Sequence, residues 1–226
     1  MSIYLKFSQF LRFLYSSVDT PPVLDQEALF PKYRELSEHL PDLQREAAVA
    51  GAEIRGLPKF HELMRSQKSL SDADGKDWRM FILRSYGQDV PANLAKAPYL
   101  AQFLSENPDV LSAAFSYLEP GKHIPPHRGP FRGIARYHIC VHIEPSEKES
   151  CLILDGVKHP YGDGSWLLWD DTYTHAVQHH DEGWRVALLL DVRRRDLGPV
   201  LTGLSTAIIR GIGFYLAVKH RGMAQT

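Results

Sequence analysis

The sequence predicts a mainly β protein, an antiparallel sandwich or barrel with helices on its flanks. Three observations carry that prediction. Between residues 76 and 196, short apolar runs recur, each stopped by a turn signal such as Glu119-Pro120-Gly121, Asp155-Gly156 or Tyr161-Gly162-Asp163-Gly164. Before and after that stretch the apolar spacing turns helical. The composition, 44% hydrophobic and 23% charged over 226 residues, is that of a globular chain able to bury a sizeable core.

The first region, residues 1–75, reads as a helical support. Residues 1–17 set Phe7, Phe10, Leu11, Phe13 and Leu14 among the cations Lys6 and Arg12, the pattern of an amphipathic helix. They lack the continuous apolar core and small-residue cleavage site of a signal peptide. Residues 31–50 carry Tyr33, Leu36, Leu40, Leu43 and Ala47 at helical spacing, with Pro41 set to kink or divide the helix. Residues 71–75 read as a loop.

The second region, 76–196, is the β core. Strands are predicted at 78–86, 110–118, 134–143, 151–154, 166–169 and 186–192, with a short helix at 94–104. The third region, 197–226, is a helical extension. It holds Leu201, Leu204, Ile208, Ile209, Ile212, Phe214, Leu216 and Val218, with Arg210, Lys219, His220 and Arg221 around them. It reads as too short and interrupted to span a bilayer. It either caps the barrel or rests on a membrane surface, and ordinary core packing is the favoured reading of both termini.

A net charge of -1 gives no global attraction for a polyanion, so nucleic acid is not an expected partner. Cys140 and Cys151 both sit in apolar segments and read as buried thiols, with a hairpin disulfide as the alternative. Two cysteines make no secreted disulfide framework, so cytoplasmic residence is expected, with peripheral membrane contact through the termini as a candidate.

Strand alternation places the chemistry. In 134–141, Ala135, Tyr137, Ile139 and Val141 form a packing face, while Ile134, Arg136, His138 and Cys140 share the other. A buried guanidinium without an anion is costly, so Arg136 needs a carboxylate or a ligand beside it. Arg185, Ala187 and Leu189 share a face in the same way, as do Ser112, Ala114 and Ser116. Polar groups thus converge in one interior. His127 lies in Pro126-His127-Arg128-Gly129, and His175 follows Asp170-Asp171 by four residues. Two imidazoles on separate segments and a downstream Arg185 point to a metal site with an anionic co-substrate. Taken singly, each histidine is more often a surface or satisfied core residue, each of Asp170 and Asp171 a turn residue, and Arg136 or Arg185 half of an ion pair with Asp191 or Glu144. The combination favours the metal site.

The segments EPGKHIPPHRG (119–129), ARYHICV (135–141), DGSWLLWDDTYTHAV (163–177) and RVALLLDVRR (185–194) resemble the aspartyl/asparaginyl β-hydroxylase family of iron(II)- and 2-oxoglutarate-dependent dioxygenases. The resemblance covers residues 83–196 and implies a distorted double-stranded β-helix, a cupin-like jelly roll with flanking helices. It implies His127 and His175 as the iron ligands, with Gly129 where a facial triad would carry its acid. It implies Arg185 and Ser116 at the far carboxylate of 2-oxoglutarate, Arg136 and His138 near its other carboxylate, and Asp171 as an acid beside the metal. The implied reaction uses O2, releases succinate and CO2 and hydroxylates an unactivated C–H.

The resemblance leaves three substrate classes open: an Asp or Asn side chain in a peptide, an acyl chain as in the related lipid A hydroxylases, and a small molecule. Gly129 departs from the lipid A group, whereas the apolar termini favour it. Two further readings compete: a non-catalytic jelly-roll binding protein with a vestigial metal site, and a zinc hydrolase with His123, His138 or Asp171 as third ligand.

Overall fold

The computed structural model describes residues 3–144 and 147–223, so the extreme ends of both predicted terminal segments lie outside the described residues. The chain opens with α1 (Ile3–Leu14), the expected amphipathic helix. The short helix α2 (Gln26–Leu29) follows. Pro41 divides the next helical stretch rather than kinking it, giving α3 (Tyr33–Glu38) and α4 (Leu40–Ala50). It sits in the first turn of α4, where its missing N–H has no intrahelical partner to lose. Two four-residue helices, α5 (Phe60–Leu63) and α6 (Lys68–Ser71), lead into the β core.

The core strands are β1 (Trp78–Ser85), β2 (Gln88–Asp89), β3 (Val110–Leu118), β4 (His123–His127) and β5 (Ile134–His142). They continue with β6 (Cys151–Leu154), β7 (Val157–Pro160), β8 (Trp166–Trp169), β9 (His175–Gln178) and β10 (Arg185–Arg193). Between β2 and β3 the predicted single helix is two, α7 (Pro91–Leu94) and α8 (Pro98–Glu106), each with a proline at its start. The backbone N–H groups of Tyr99 and Leu100 donate to the buried Glu46 carboxylate of α4, so an acid from a neighbouring helix caps α8.

The strands form a six-stranded sheet in the order β2-β1-β3-β10-β5-β8 and a four-stranded sheet in the order β4-β9-β6-β7, with antiparallel pairing throughout. This is the jelly-roll, cupin-like double-stranded β-helix with flanking helices. The strand period of two then sorts the cores. The outer face of the large sheet, with Phe115, Tyr117, Ala135, Tyr137, Ile139, Leu188 and Leu190, packs on Leu36, Leu43 and Ala47 of α3 and α4 and on Leu100, Phe103 and Leu104 of α8. Between the sheets, Trp78, Met80 and Ala114 meet Ile124, Leu152, Leu154 and Val177. A third cluster joins Leu11 and Tyr15 at the N-terminus to Phe131, Ile134 and the last helix.

That helix corrects one expectation. The C-terminal region is a single α-helix, α9 (Gly198–Met223), not an interrupted one. Its segment Gly198–Val218, with mean hydropathy 1.5, is long and apolar enough to cross a membrane by length and composition. Cys140 and Cys151 are free, buried thiols, and no disulfide joins them.

Candidate metal and co-substrate site

The two histidines expected on separate segments lie on paired strands. His123 of β4 stands opposite Gln178 of β9, and Ile124 opposite Val177, but the next aligned pair is His127 with His175. Two residues on β4, Pro125 and Pro126, therefore face one on β9. Neither proline carries an N–H for the ladder, so the bulge sits where the ladder loses least. Its effect is to make His127 and His175 direct cross-strand neighbours, with ring centroids 4.1 Å apart.

Both rings are set in the same way. The His127 Nδ1–H donates to the carbonyl of Pro125 at 2.9 Å, and the His175 Nδ1–H donates to that of Tyr173 at 2.9 Å. A carbonyl only accepts, so the proton of each neutral ring belongs on Nδ1, and each Nε2 keeps its lone pair. Burial holds both imidazoles below the ordinary histidine range. His175 falls to about 3, with the neighbouring His127 adding to the effect of burial. The pair is thus neutral at physiological pH and able to bind a cation. Among the described residues no group of three His, Cys, Asp or Glu side chains is arranged to hold a metal, and His123 meets His180 edge-on instead.

A cavity of about 440 Å³, counted to its open mouth, lies between the sheets. Its walls include His127, His175, Arg136, His138, Ser116 and Arg185, six of the seven residues singled out from the sequence. The seventh, Asp171, is not among these wall residues and lies against Gly129 and Arg136. The two acids before His175 have separate fates. Asp170 is fully buried in a structural network, paired with Arg132 at 2.7 Å and Arg194 at 3.3 Å and accepting from the Thr172 amide. Asp171 approaches Arg136 at 3.5 Å, and its Oδ1 has no hydrogen-bond partner. Burial pushes its carboxyl up to about 7, with Arg136 opposing and Asp191 and Asp170 reinforcing the rise.

Gly129 explains itself here. A Cβ at this position would lie 2.1 Å from Asp171 Oδ1 and 2.3 Å from Oδ2. The Gly129 N–H also donates to the Asp171 carbonyl at 2.6 Å. The space where a triad acid would begin is already filled by the Asp171 carboxylate.

The two cavity arginines differ. Arg136 has its anion: Nε and Nη2 donate to Asp191 Oδ1 at 3.0 and 2.8 Å, across the β5–β10 pairing. Burial works against its charge, but Asp191 and Asp171 overcome it and hold its pKa above the usual value. The ion pair with Asp191 thus coexists with a place for Arg136 on the cavity wall. Arg185 is 4% exposed and has no acidic partner among the described residues. Its Nη2 contacts His138 Nε2, its guanidinium lies 3.8 Å above the Tyr161 ring, and its Nε is unpaired. Burial and this cation keep His138 neutral, well below the ordinary histidine range. An uncompensated buried guanidinium facing a cavity is a site for an anion.

Three further residues were not singled out from the sequence. Trp78 opens β1, stacks on Phe60 at 3.8 Å and donates its indole N–H to Ser116 Oγ at 2.9 Å. Tyr161 floors Arg185, and Trp169 lines the cavity with its own indole N–H unpaired. The only sequence signal for them was an aromatic at the end of a strand or in a turn, which usually means packing.

Residues 37–195 match the family model described as Aspartyl/Asparaginyl beta-hydroxylase. The chain belongs to that family. It is 31% identical over 192 residues to an ornithine lipid ester-linked acyl 2-hydroxylase of Rhizobium tropici, which spans 84% of this chain and 66% of the relative. It is 30% identical over 125 residues to aspartate beta-hydroxylase domain-containing protein 2 of Xenopus tropicalis (51% of this chain, 33% of the relative). It is 27% identical over 129 residues to the human aspartyl/asparaginyl beta-hydroxylase (54% and 17%). The chain thus spans about two thirds of the first relative's length and a third or less of the other two.

Proposed function

We propose that this family member is an Fe(II)- and 2-oxoglutarate-dependent dioxygenase that hydroxylates an unactivated C–H. The observation that carries the reading is the pairing, in one cavity, of two neutral imidazoles, each with its Nδ1 held by a backbone carbonyl, and a buried guanidinium with no carboxylate of its own. His127 and His175 would hold the metal. Bound iron with 2-oxoglutarate and O2 supplies an oxidant strong enough for C–H hydroxylation, with succinate and CO2 as co-products.

The chain's own groups do the positioning. Arg185 offers a rigid, permanently charged fork for the far carboxylate of a diacid. Tyr161 and the neutral His138 hold that fork without neutralising it. Trp78 donates to Ser116 Oγ, which leaves the Ser116 hydroxyl hydrogen to donate to the same carboxylate. Arg136, fixed by Asp191, sets a second positive charge in the cavity. Asp171 Oδ1 is unpaired, and with its pKa near 7 the carboxyl can hold or accept a proton beside the histidines. Apolar walls from Ile124, Leu152, Val177 and Leu189 keep bulk water off the reacting centre.

For the primary substrate, one observation favours an acyl chain of a membrane lipid. The likeness to the ornithine lipid hydroxylase runs over 84% of this chain, whereas the likeness to the two aspartate-type relatives stops near half. The test is succinate formation from 2-oxoglutarate with Fe(II), with and without lipid or peptide. Wild type should turn over and His175→Ala should not. Arg185→Ala should raise the concentration of 2-oxoglutarate required. Metal-independent turnover, or unchanged co-substrate dependence in Arg185→Ala, contradicts the reading. A protein that binds metal and 2-oxoglutarate yet never forms succinate is the vestigial binding module.

A further inference from the structure

We propose that α1 and α9 form one docking surface for an anionic lipid bilayer, holding the loop beside His127 at the lipid–water boundary. The inference deepens the lipid reading of the substrate and rests on it.

The two helices meet at a few residues around Tyr15. Tyr15, just after α1, shares a 2.8 Å hydrogen bond with Ser205 of α9, and Leu11 and Tyr15 cluster with Ile209. Their outward faces are apolar. On α1, Phe7 is 48%, Phe10 55% and Phe13 74% exposed. On α9, Val200, Gly203, Ala207, Gly211, Phe214, Tyr215 and Val218 fall on one exposed stripe at helical spacing, with Phe214 73% exposed. Exposed phenylalanines in such number are uncommon on a surface that meets only water.

Charge identifies the occupant. Neither helix contains an Asp or Glu, although the chain has 27. Their charged residues are Lys6, Arg12, Arg210, Lys219 and Arg221, to which His220 adds a titratable imidazole. An apolar stripe on helices whose only charged residues are cationic is the pattern that binds in the interface of an anionic bilayer. A protein partner would more often meet mixed charge at the rim.

The surface is wired to the site. Arg12 of α1 donates to the carbonyl of Gly129 at 3.2 Å, two residues from His127. Phe131, in the same loop, packs edge-on to Tyr15 at 5.3 Å. Arg132 ties the carbonyl of Val18 to the Asp170 carboxylate.

Although α9 is long enough to span, its packing argues for lying flat. Leu201 is partly buried and Ser205, Ile209 and Gly213 are buried along it, and a Cβ at Gly213 would come within 2.8 Å of the Tyr86 carbonyl. These contacts run along one side of the helix and leave its other side, most of the segment, to meet the bilayer surface.

The experiment is cosedimentation of the full chain with vesicles of phosphatidylcholine alone or mixed with phosphatidylglycerol. The wild type should bind the mixed vesicles at least about tenfold more tightly and be released by high salt. Phe7→Ser/Phe10→Ser/Phe13→Ser and, separately, Phe214→Ser/Tyr215→Ser should each weaken binding by about tenfold or more while the circular dichroism and lipid-free succinate formation stay at wild-type level. Equal binding to neutral vesicles, no binding at all, wild-type binding by both variants, or retention through alkaline extraction would each overturn the proposal. So would a stable dimer that the phenylalanine variants dissociate. Vesicle binding without any succinate formation would instead sink the hydroxylase reading and leave the docking surface standing.

Discussion

Gly129→Ala is a small change with a large expected consequence. An ideal Cβ there lies 2.1 Å from Asp171 Oδ1, 2.2 Å from Cγ and 2.3 Å from Oδ2. Ordinary contact begins near 3.5 Å, so the carboxylate must retreat by more than about 1 Å. Retreat costs the 3.5 Å approach to Arg136 and strains the 2.6 Å bond from the Gly129 N–H to the Asp171 carbonyl. Overpacking of this kind costs about 1–3 kcal/mol. For a chain of this size, a loss of about 2 kcal/mol lowers Tm by roughly 4–8 °C. The assay is thermal unfolding of the metal-free protein, run as a double-mutant cycle with Asp171→Ala. Removing the carboxylate makes room for the methyl, so the double variant should match Asp171→Ala alone to within about 0.5 kcal/mol. If the two losses add, or if Gly129→Ala melts like wild type, the carboxylate does not occupy that space and the account of the missing acid fails.

Other expectations follow from the same site. His175 and Asp171 make opposite contributions to stability in acid. The folded His175 pKa, about 3, lies below its ordinary 6.5, so the folded state binds fewer protons there and loses stability as pH falls below 6.5 towards 3. The folded Asp171 pKa, about 7, lies above 3.8, so its charge costs stability as pH rises from 4 to 7. Stability measured against pH on metal-free protein should fall more steeply in acid for Asp171→Asn and less steeply for His175→Asn; unchanged curves contradict both assignments. Trp78→Phe should cost about 1 kcal/mol by chemical denaturation and raise KM for 2-oxoglutarate with kcat little changed, since it removes only the donor to Ser116. Asp191→Ala should destabilise by about 2 kcal/mol in the same assay and impair co-substrate use, because Arg136 is left with only the longer contact to Asp171.

Much of this site was legible because strands alternate. The face assigned from sequence to Ala135, Tyr137, Ile139 and Val141 is the one that packs on the helices, and Arg136 and His138 do face the cavity. Strands such as Val110–Leu118 and Cys151–Leu154 were marked by long or turn-bounded apolar runs. Four strands, β2, β4, β7 and β9, went unpredicted, and none carries a long or turn-bounded apolar run. His123–His127 is two-fifths proline, and Val157–Pro160 is short and largely exposed. Pairing across the sheet, which no local pattern encodes, is what brings His127 to His175. The C-terminal helix was underestimated because its glycines look like breaks. One of them, Gly213, is held against the Tyr86 carbonyl, where a larger residue would not fit. The role of Trp78 was hidden for a similar reason, since a strand-opening aromatic carries no mark of the hydroxyl it orients.

On the proposed function, His127 and His175 would hold iron(II) beside a diacid anchored by Arg185. Anaerobic addition of Fe(II) and then 2-oxoglutarate, followed by visible absorption, tests it most directly. A weak charge-transfer band is expected in the wild type, with its loss in His127→Ala and His175→Ala and its displacement to higher 2-oxoglutarate concentration in Arg185→Ala. No band at saturating metal and co-substrate, or a band undiminished when both histidines are replaced, would contradict it.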